Sequence, residues 1–330
     1  MRRLLRRLFL LAFVATAAAA GWLAYFSTQL VDLPRVPYEF TVRSGASLKS
    51  IARQLAADGV TREGESLWIL GRLLGKASSI QAGTYRLDKP LTPLELLDKL
   101  ARGDVVLVEM LFVEGTTMKQ WLAQIARNAQ VKQTLAGKSE AELRTLFGLD
   151  QPLEGWFFPD TYRFTPGIAD LDILKRAHGA MKRRLADAWA AREPQLPLKT
   201  PYEALILASI VEKETGQAAE RPIIASVFVN RLRSGMRLQT DPTVIYGMGE
   251  GFDGNIRKRD LTADTPWNTY TRDGLPPTPI AMPGMGSLRA VMRPAETKFL
   301  YFVGKGDGTH EFSRTLEEHN RAVARYQLGK

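Results

Sequence analysis

The sequence predicts an α+β protein with three parts: an N-terminal transmembrane helix, a small strand–helix–helix–strand domain and a larger mixed α/β domain. Three observations lead there. An uncharged apolar run from Leu8 to Phe26 follows a cluster of arginines. Alternating apolar residues at Tyr38, Phe40 and Val42 announce a strand, and helical and strand patterns succeed one another from there on. A nearly all-apolar segment, "YEALILASIVEKET", ends in two glutamates placed two residues apart.

Residues 1–7 form a basic cap carrying Arg2, Arg3, Arg6 and Arg7, and residues 8–26 the apolar span. About 20 such residues cross a bilayer core. Trp22 and Tyr25 lie near its far end, where aromatic rings favour the interface. Arginine before the span and none just after it places the N-terminus in the cytoplasm and the bulk of the chain outside. A cleaved signal peptide is the rival, because "ATAAAA" offers small residues at suitable spacing. The apolar run is long for a signal peptide, which favours an uncleaved anchor. Residues 27–37, with two prolines, read as a linker.

The first folded domain is placed at 38–104. After the strand at Tyr38, "SGAS" makes a turn, and Leu48, Ile51, Ala52 and Leu55 keep helical spacing. "GESLWILGRLLGK" is a second helix and "AGTYRL" a returning strand. "TPLELLDKLARG" adds a helix with Thr92 as N-cap, proline at the first position and Gly103 beyond its end.

The second domain is placed at 105–330. "TMKQWLAQIAR" and "DILKRAHGAMKRRLADAWAA" are amphipathic helices, the basic residues of the second forming a solvated face, and "RPIIASVFVNRLRSG" is one more helix after residue 216. From there to about Ser287 the chain is rich in Gly, Pro, Asn, Asp and Thr, as functional loops or short unrecognised strands would be.

Composition narrows the chemistry. With 45% apolar and 24% charged residues the chain is an ordinary folded protein rather than a disordered one. It contains no cysteine, which removes thiolate nucleophiles and cysteine metal sites. The three histidines are scattered, "THEF" lacks the second histidine of a zinc helix, and neither a nucleophile elbow nor a phosphate-binding loop occurs. The net charge of +10 is spread along the chain apart from the N-terminal arginines, so it does not specify nucleic acid.

The helix bearing the glutamates begins at Thr200-Pro201, with Glu203 completing a capping box and Gly216 as the stop. At about 100° per residue, Ser209 and Lys213 mark a narrow polar edge with Glu212 beside it. Glu214 falls between Leu207 and Ile210, in drier surroundings. Burial raises a carboxyl pKa toward what a general acid needs, so position favours Glu214 over Glu212. The competing reading of either glutamate is a plain ion pair with an arginine.

"EGWFFPDTYRF", "ASIVEKET", "ASVFVNRLRSGMRLQTDPTVIYGMG", "WNTYTRDGLPPTPI" and "FLYFVGKGDGTHEFSRTLEEHN", behind an N-terminal anchor, resemble the endolytic murein transglycosylases of the bacterial YceG-like family. The resemblance runs from about Tyr38 almost to the C-terminus. It implies a LysM-like first domain and a catalytic second domain. The implied activity is cleavage of peptidoglycan glycan strands between N-acetylmuramic acid and N-acetylglucosamine, leaving 1,6-anhydro ends. It also implies no cofactor or metal, a role in limiting the length of nascent strands, and a place beside peptidoglycan synthases (penicillin-binding proteins). The second glutamate of the family motif, here Glu214, is the implied general acid and then base. A membrane-anchored glycan-binding scaffold that cuts nothing is the alternative.

Around Glu214 the candidate sugar-binding residues are Thr215, Gln239, Thr240, Asp241, Tyr246, Asn268 and Tyr270, because amides and hydroxyls suit N-acetyl groups and aromatic faces suit pyranose rings. Each has a plainer reading: Thr215 as a helix cap, Asp241-Pro242 as a turn, Tyr246 as core. Glu154, in "EGWFFPDTY", reads first as structural and second as a site residue. His310 and His319 read as loop and helix-surface residues. Where the family often has "NPG", this chain has Ala281-Met282-Pro283-Gly284, so a role for that asparagine does not transfer.

Overall fold

In the computed structural model, which describes residues 2–329, the chain separates into two units. One is the chain up to Val108 together with Arg163–Pro166; the other is Glu109–Tyr162 together with everything from Gly167 onward.

The first unit opens with α1 (Arg2–Thr28), the one helix among the described residues long and apolar enough to cross a membrane, its apolar window entirely unburied. Only its last turns touch protein: Phe26 is buried, and the Trp22 indole donates to Glu63 Oε2 at 3.3 Å. Then follow β1 (Tyr38–Val42), α2 (Leu48–Ala57), α3 (Gly64–Leu73), β2 (Gly83–Leu87) and α4 (Pro93–Arg102). β1 and β2 pair antiparallel, from Tyr38 opposite Leu87 to Val42 opposite Gly83. The period-2 alternation of β1 turns Tyr38, Phe40 and Val42 inward, where Phe40 stacks on Tyr85 at 5.5 Å. The helices cover that face with Leu48, Ile51, Leu55, Leu67, Leu96, Leu97 and Leu100, all buried. Thr92 and Glu95 form the reciprocal cap of α4, and Gly103 ends it in the left-handed conformation.

The second unit contains β3 (Val108–Leu111, from its second residue), α5 (Met118–Ala126), β4 (Val131–Lys132), α6 (Glu140–Phe147) and β5 (Thr161–Phe164, in part). It continues through β6 (Ile168–Ala169), α7 (Asp170–Ala190), α8 (Pro201–Glu214), α9 (Arg221–Arg233), α10 (Asp241–Met248), α11 (Lys258–Thr262) and α12 (Met285–Met292). It ends with β7 (Tyr301–Gly304), β8 (His310–Ser313) and α13 (Leu316–Tyr326). The short strands β4 and β6 pair in parallel, and β7 and β8 form an antiparallel hairpin. The Gly- and Pro-rich stretch before residue 287 contains short helices, α10 and α11, where the composition suggested loop or strand.

The centre of this unit is α8. Every residue from Ala204 to Val211 is buried, and α7, α9 and α12 pack around it with Met181, Leu185, Ile224, Phe228, Leu288 and Val291. This explains why the segment is apolar on nearly all sides. Its start differs from expectation in one detail. Thr200 Oγ1 accepts the Glu203 amide at 3.2 Å, but the Glu203 carboxylate returns to the amide of Lys199 rather than to that of Thr200.

Candidate active site

The polar edge of α8 expected from its sequence is not a solvent edge. Ser209 is fully buried, and its Oγ accepts the amide of Ile280 at 2.9 Å. One turn on, Glu212 Oε2 accepts the amide of Gly284 at 2.9 Å. The segment Ile280–Gly284 is therefore laid along α8 by two backbone donors spaced to match two helix side chains. It in turn pairs with the loop before α5: the Gly115 amide donates to Met282 O at 2.9 Å, and the Met282 amide to Thr116 O at 2.8 Å. Lys213 Nζ completes the clamp by donating to Gly115 O at 3.2 Å.

Glu212 is therefore the tethered glutamate. Its side chain is only 6% exposed, with Oε1 lying 3.6 Å from Arg221 Nη2. Glu114 approaches the same guanidinium at 3.9 Å. Burial and the neighbouring Glu212 charge raise the pKa of Glu114, with Arg221 opposing them. The polar edge on which the sequence places Glu212 thus meets protein amides rather than water. The plain ion pair belongs to Glu212.

Glu214 is held differently. Its one hydrogen-bond partner among the described residues is Thr240, whose Oγ1 donates to Oε1. Burial of the carboxyl pushes its pKa up from 4.5 to about 7; the Thr240 bond opposes this, the nearby Asp241 charge adds to it, and the charges of His310 and Arg231 oppose it. A carboxyl that keeps its proton near neutrality, with one oxygen held and no arginine paired to it, can give a proton and take one back. Arg231 does not become that partner because its guanidinium is spent on backbone, Nε on Leu300 O and Nη1 on Leu238 O, each at 2.6 Å.

Thr240 is positioned by threonines. Its amide donates to Thr269 Oγ1 at 3.0 Å, and Thr243 Oγ1 bridges Thr240 O at 2.7 Å and Thr269 Oγ1 at 2.9 Å. Gln239, just before it, has φ +48, the one non-glycine residue in the left-handed region among those described. Such a conformation costs on the order of 1 kcal/mol and persists where surrounding bonds impose it. Here the Gln239 amide is fixed on Thr269 O at 3.1 Å while its side chain stays exposed.

The remaining candidates divide. Asp241 accepts the Tyr270 hydroxyl at 2.6 Å, and both neighbour Glu214; burial, followed by the Asp241 bond, raises the Tyr270 pKa. Thr215 ends α8 in an extended conformation and its Oγ1 accepts the Gln217 amide at 2.9 Å, so the hydroxyl serves the turn rather than the Glu214 carboxyl. Gly216 is not left-handed, so α8 ends without the glycine stop expected. Asn268 corrects the sequence reading: it is fully buried, its Nδ2 donates to Leu261 O and Ala263 O, and its Oδ1 accepts the Tyr270 amide. It shapes the loop from within and has no amide atom left for a sugar. Tyr246 packs against Trp267 at 5.5 Å and donates its hydroxyl to Glu154 Oε2 at 3.2 Å. Glu154 is buried at the start of α5, where it accepts the Met118 amide, and burial pushes its pKa to about 7.

His310, read from sequence as a loop residue, is the first residue of β8. It is not a bare loop residue: Glu220, at the start of α9, accepts its amide at 2.9 Å and lies 2.7 Å from its Nδ1. The two residues are 90 apart in sequence, so no local pattern announces the pair. Among the described residues no group of three or more His, Asp or Glu side chains is arranged to hold a metal ion.

The model of the YceG-like family matches residues 40–325. An endolytic murein transglycosylase of Bacillus subtilis is 33% identical over 307 residues, covering 88% of this chain and 84% of the relative. An endolytic murein transglycosylase of Streptococcus pneumoniae is 26% identical across 97% of this chain, which spans 65% of that longer relative. The crystal structure of a YceG-like protein from Listeria monocytogenes superposes with a TM-score of 0.55 at 27% identity, covering 86% of this chain and 98% of that one. With a match this long in both sequence and fold, the chain belongs to the YceG-like family.

Proposed function

We propose that this protein is a membrane-anchored endolytic transglycosylase that cuts peptidoglycan strands between N-acetylmuramic acid and N-acetylglucosamine. Glu214 gives its proton to the glycosidic oxygen as the bond from that oxygen to muramic acid C1 breaks. The muramic acid O6 then bonds to C1, and its hydroxyl proton passes to the Glu214 carboxylate. The 1,6-anhydro end forms, the acid is restored and no water is consumed. One carboxyl suffices because the substrate supplies its own nucleophile, unlike hydrolytic glycosidases with their two carboxyl groups. The observation that carries this reading is the contrast between the glutamates: Glu212 is tied to Arg221 and Gly284, whereas Glu214 holds a raised pKa with a single hydroxyl partner.

Gln239, Asp241 and Tyr270 are the residues best placed to meet sugar, being at least partly exposed around Thr240 and Glu214. The βααβ unit at 38–104 is assigned as LysM-like and the region 105–330 as the catalytic domain. The span within α1 anchors the protein in the inner membrane with both domains periplasmic. Anchoring near peptidoglycan synthases would raise the local concentration of nascent strand without tight contacts.

The full-length protein, Glu214→Gln and Glu212→Gln are incubated with purified peptidoglycan and the products read by mass spectrometry. Internal fragments with 1,6-anhydro ends, lost with Glu214→Gln and kept with Glu212→Gln, are expected. Reducing ends would make the protein a hydrolase. Retention of glycan without cleavage by the unmutated protein would leave the scaffold alternative.

A further inference from the structure

Two of the three histidines have one ring nitrogen sealed from solvent and unpaired, Nε2 of His178 and Nδ1 of His319. His310 is arranged otherwise. Glu220 grips it twice, through the backbone amide at 2.9 Å and Nδ1 at 2.7 Å, and both side chains are 14% exposed. Phe302 meets the ring edge-on at 5.4 Å and 87°, so its plane is set as well as its tilt. Nε2, the nitrogen opposite the Glu220 bond, has no hydrogen-bond partner among the described residues and is not sealed from solvent as the unpaired nitrogens of the other two histidines are. Glu220 follows Glu214 across the short loop that begins at Thr215, and the β7–β8 turn lies against the same loop, the Cβ position of Gly308 being 3.6 Å from Gln217 Nε2. The charge of the ring acts on the Glu214 carboxyl in the same direction as that of Arg231.

From this arrangement, and resting on the function proposed above, we infer that His310 is a substrate-binding residue of the Glu214 site. Its Nε2 exchanges a hydrogen bond with a glycan hydroxyl, while Glu220 holds the ring in place. With Nδ1–H given to Glu220, the neutral ring presents the Nε2 lone pair to a sugar O–H; the protonated ring presents a donor to the oxygen of the same hydroxyl. A hydroxyl, being both donor and acceptor, is the ligand that suits both states. No proton transfer is assigned to the ring, so His310 acts by position. Arg231, the other cation near Glu214, has Nε and Nη1 bonded to backbone carbonyls.

The test uses the full-length protein in two backgrounds. Binding to uncross-linked glycan strands is measured in Glu214→Gln, alone and combined with His310→Phe or His310→Gln. Phenylalanine keeps the packing on Phe302 without a ring nitrogen; glutamine places an amide near the position of Nε2. Loss of one hydrogen bond to substrate predicts affinity roughly tenfold weaker with phenylalanine and within about threefold of the parent with glutamine. In the cleaving protein His310→Phe should raise KM more than it lowers kcat. Unchanged affinity and KM in His310→Phe overturn the inference, as does an equal loss in the phenylalanine and glutamine variants. Should His310→Phe not fold, Glu220→Gln decides: weakened glycan binding is expected and parental binding overturns it. If the unmutated protein leaves no anhydro ends while Glu214→Gln still binds glycan, the reaction assignment falls and the affinity comparison still judges His310. Absence of all glycan binding would overturn both.

Discussion

The hydroxyl of Thr240, the residue that caps α10, is bonded to the carboxyl of Glu214 and to nothing in its own helix. Threonine at such a position ordinarily satisfies a free amide of the first turn. Here the helix forgoes that bond, and its start is held instead by Thr243 and by the conformation of Asp241-Pro242. A cap diverted in this way links the loop Leu238–Thr240 to the end of α8.

Thr240→Val removes the donor and keeps the shape. Because the hydroxyl bond favours the ionised carboxylate, its loss raises the Glu214 pKa further above about 7. The alkaline limb of the pH–rate profile should move up by up to roughly one pH unit. The rate at pH 7 should fall roughly tenfold as one carboxyl oxygen loses its anchor. An unshifted limb in a folded variant would mean that Thr240 does not act on Glu214.

Arg221→Met separates the two glutamates by their stability cost. It strips Glu212 of its ion pair in a place where that side chain is 6% exposed, and a buried carboxylate without its partner costs roughly 3 kcal/mol. Glu212→Gln should cost far less, because the amide oxygen still accepts from Gly284. Urea unfolding should place the midpoint of Arg221→Met well below that of Glu212→Gln. Equal midpoints would remove the structural role assigned to Glu212.

Much of this arrangement was legible in the sequence where the causes are local. The alternation at Tyr38, Phe40 and Val42, the Thr92 cap and the apolar α8 all follow from spacing within a few residues. The contrast between Glu212 and Glu214 was legible only in part. Helical projection gave Glu212 a polar edge, yet that edge is occupied by the amides of Ile280 and Gly284, about 70 residues away in sequence. Asn268 shows the opposite failure, for an amide in a polar loop suits a sugar as well as it suits three neighbouring carbonyls. His310 needed Glu220 to acquire meaning, and only the tertiary fold brings β8 to the start of α9.

Gly155→Ala should disturb the same docked segment from beneath. Gly155 has φ +84, and a Cβ there would lie 2.5 Å from Pro279 Cγ and 2.6 Å from Pro279 Cβ, atoms of a ring that cannot swing aside. The left-handed backbone costs about 1 kcal/mol for alanine, and the clash adds to it, for a total of roughly 2–4 kcal/mol. Gly137, with φ +78 and nothing within 4 Å, is the control, since alanine there bears the backbone cost alone. Thermal unfolding of the two variants compares the clash directly, and equal losses would show that Pro279 gives way.

Glu154 tests how burial couples to pH. Its pKa is about 7 in the folded protein against an ordinary 4.5, with burial as the main cause, so between those values the folded state binds more protons than the unfolded. Stability from this group therefore falls as pH rises from about 4.5 to about 7, by up to roughly 3 kcal/mol. Glu154→Gln keeps an oxygen for the Met118 amide and cannot ionise. Its stability relative to the parent should accordingly improve through that window and level off above pH 7. Glu214 contributes a fall of the same sign, so the measurement is best made in Glu214→Gln, where Glu154 is the remaining carboxyl raised to about 7 among the described residues. A difference between the two variants that does not change from pH 5 to pH 8 would show that Glu154 is ionised throughout, with Met118 and Tyr246 offsetting its burial.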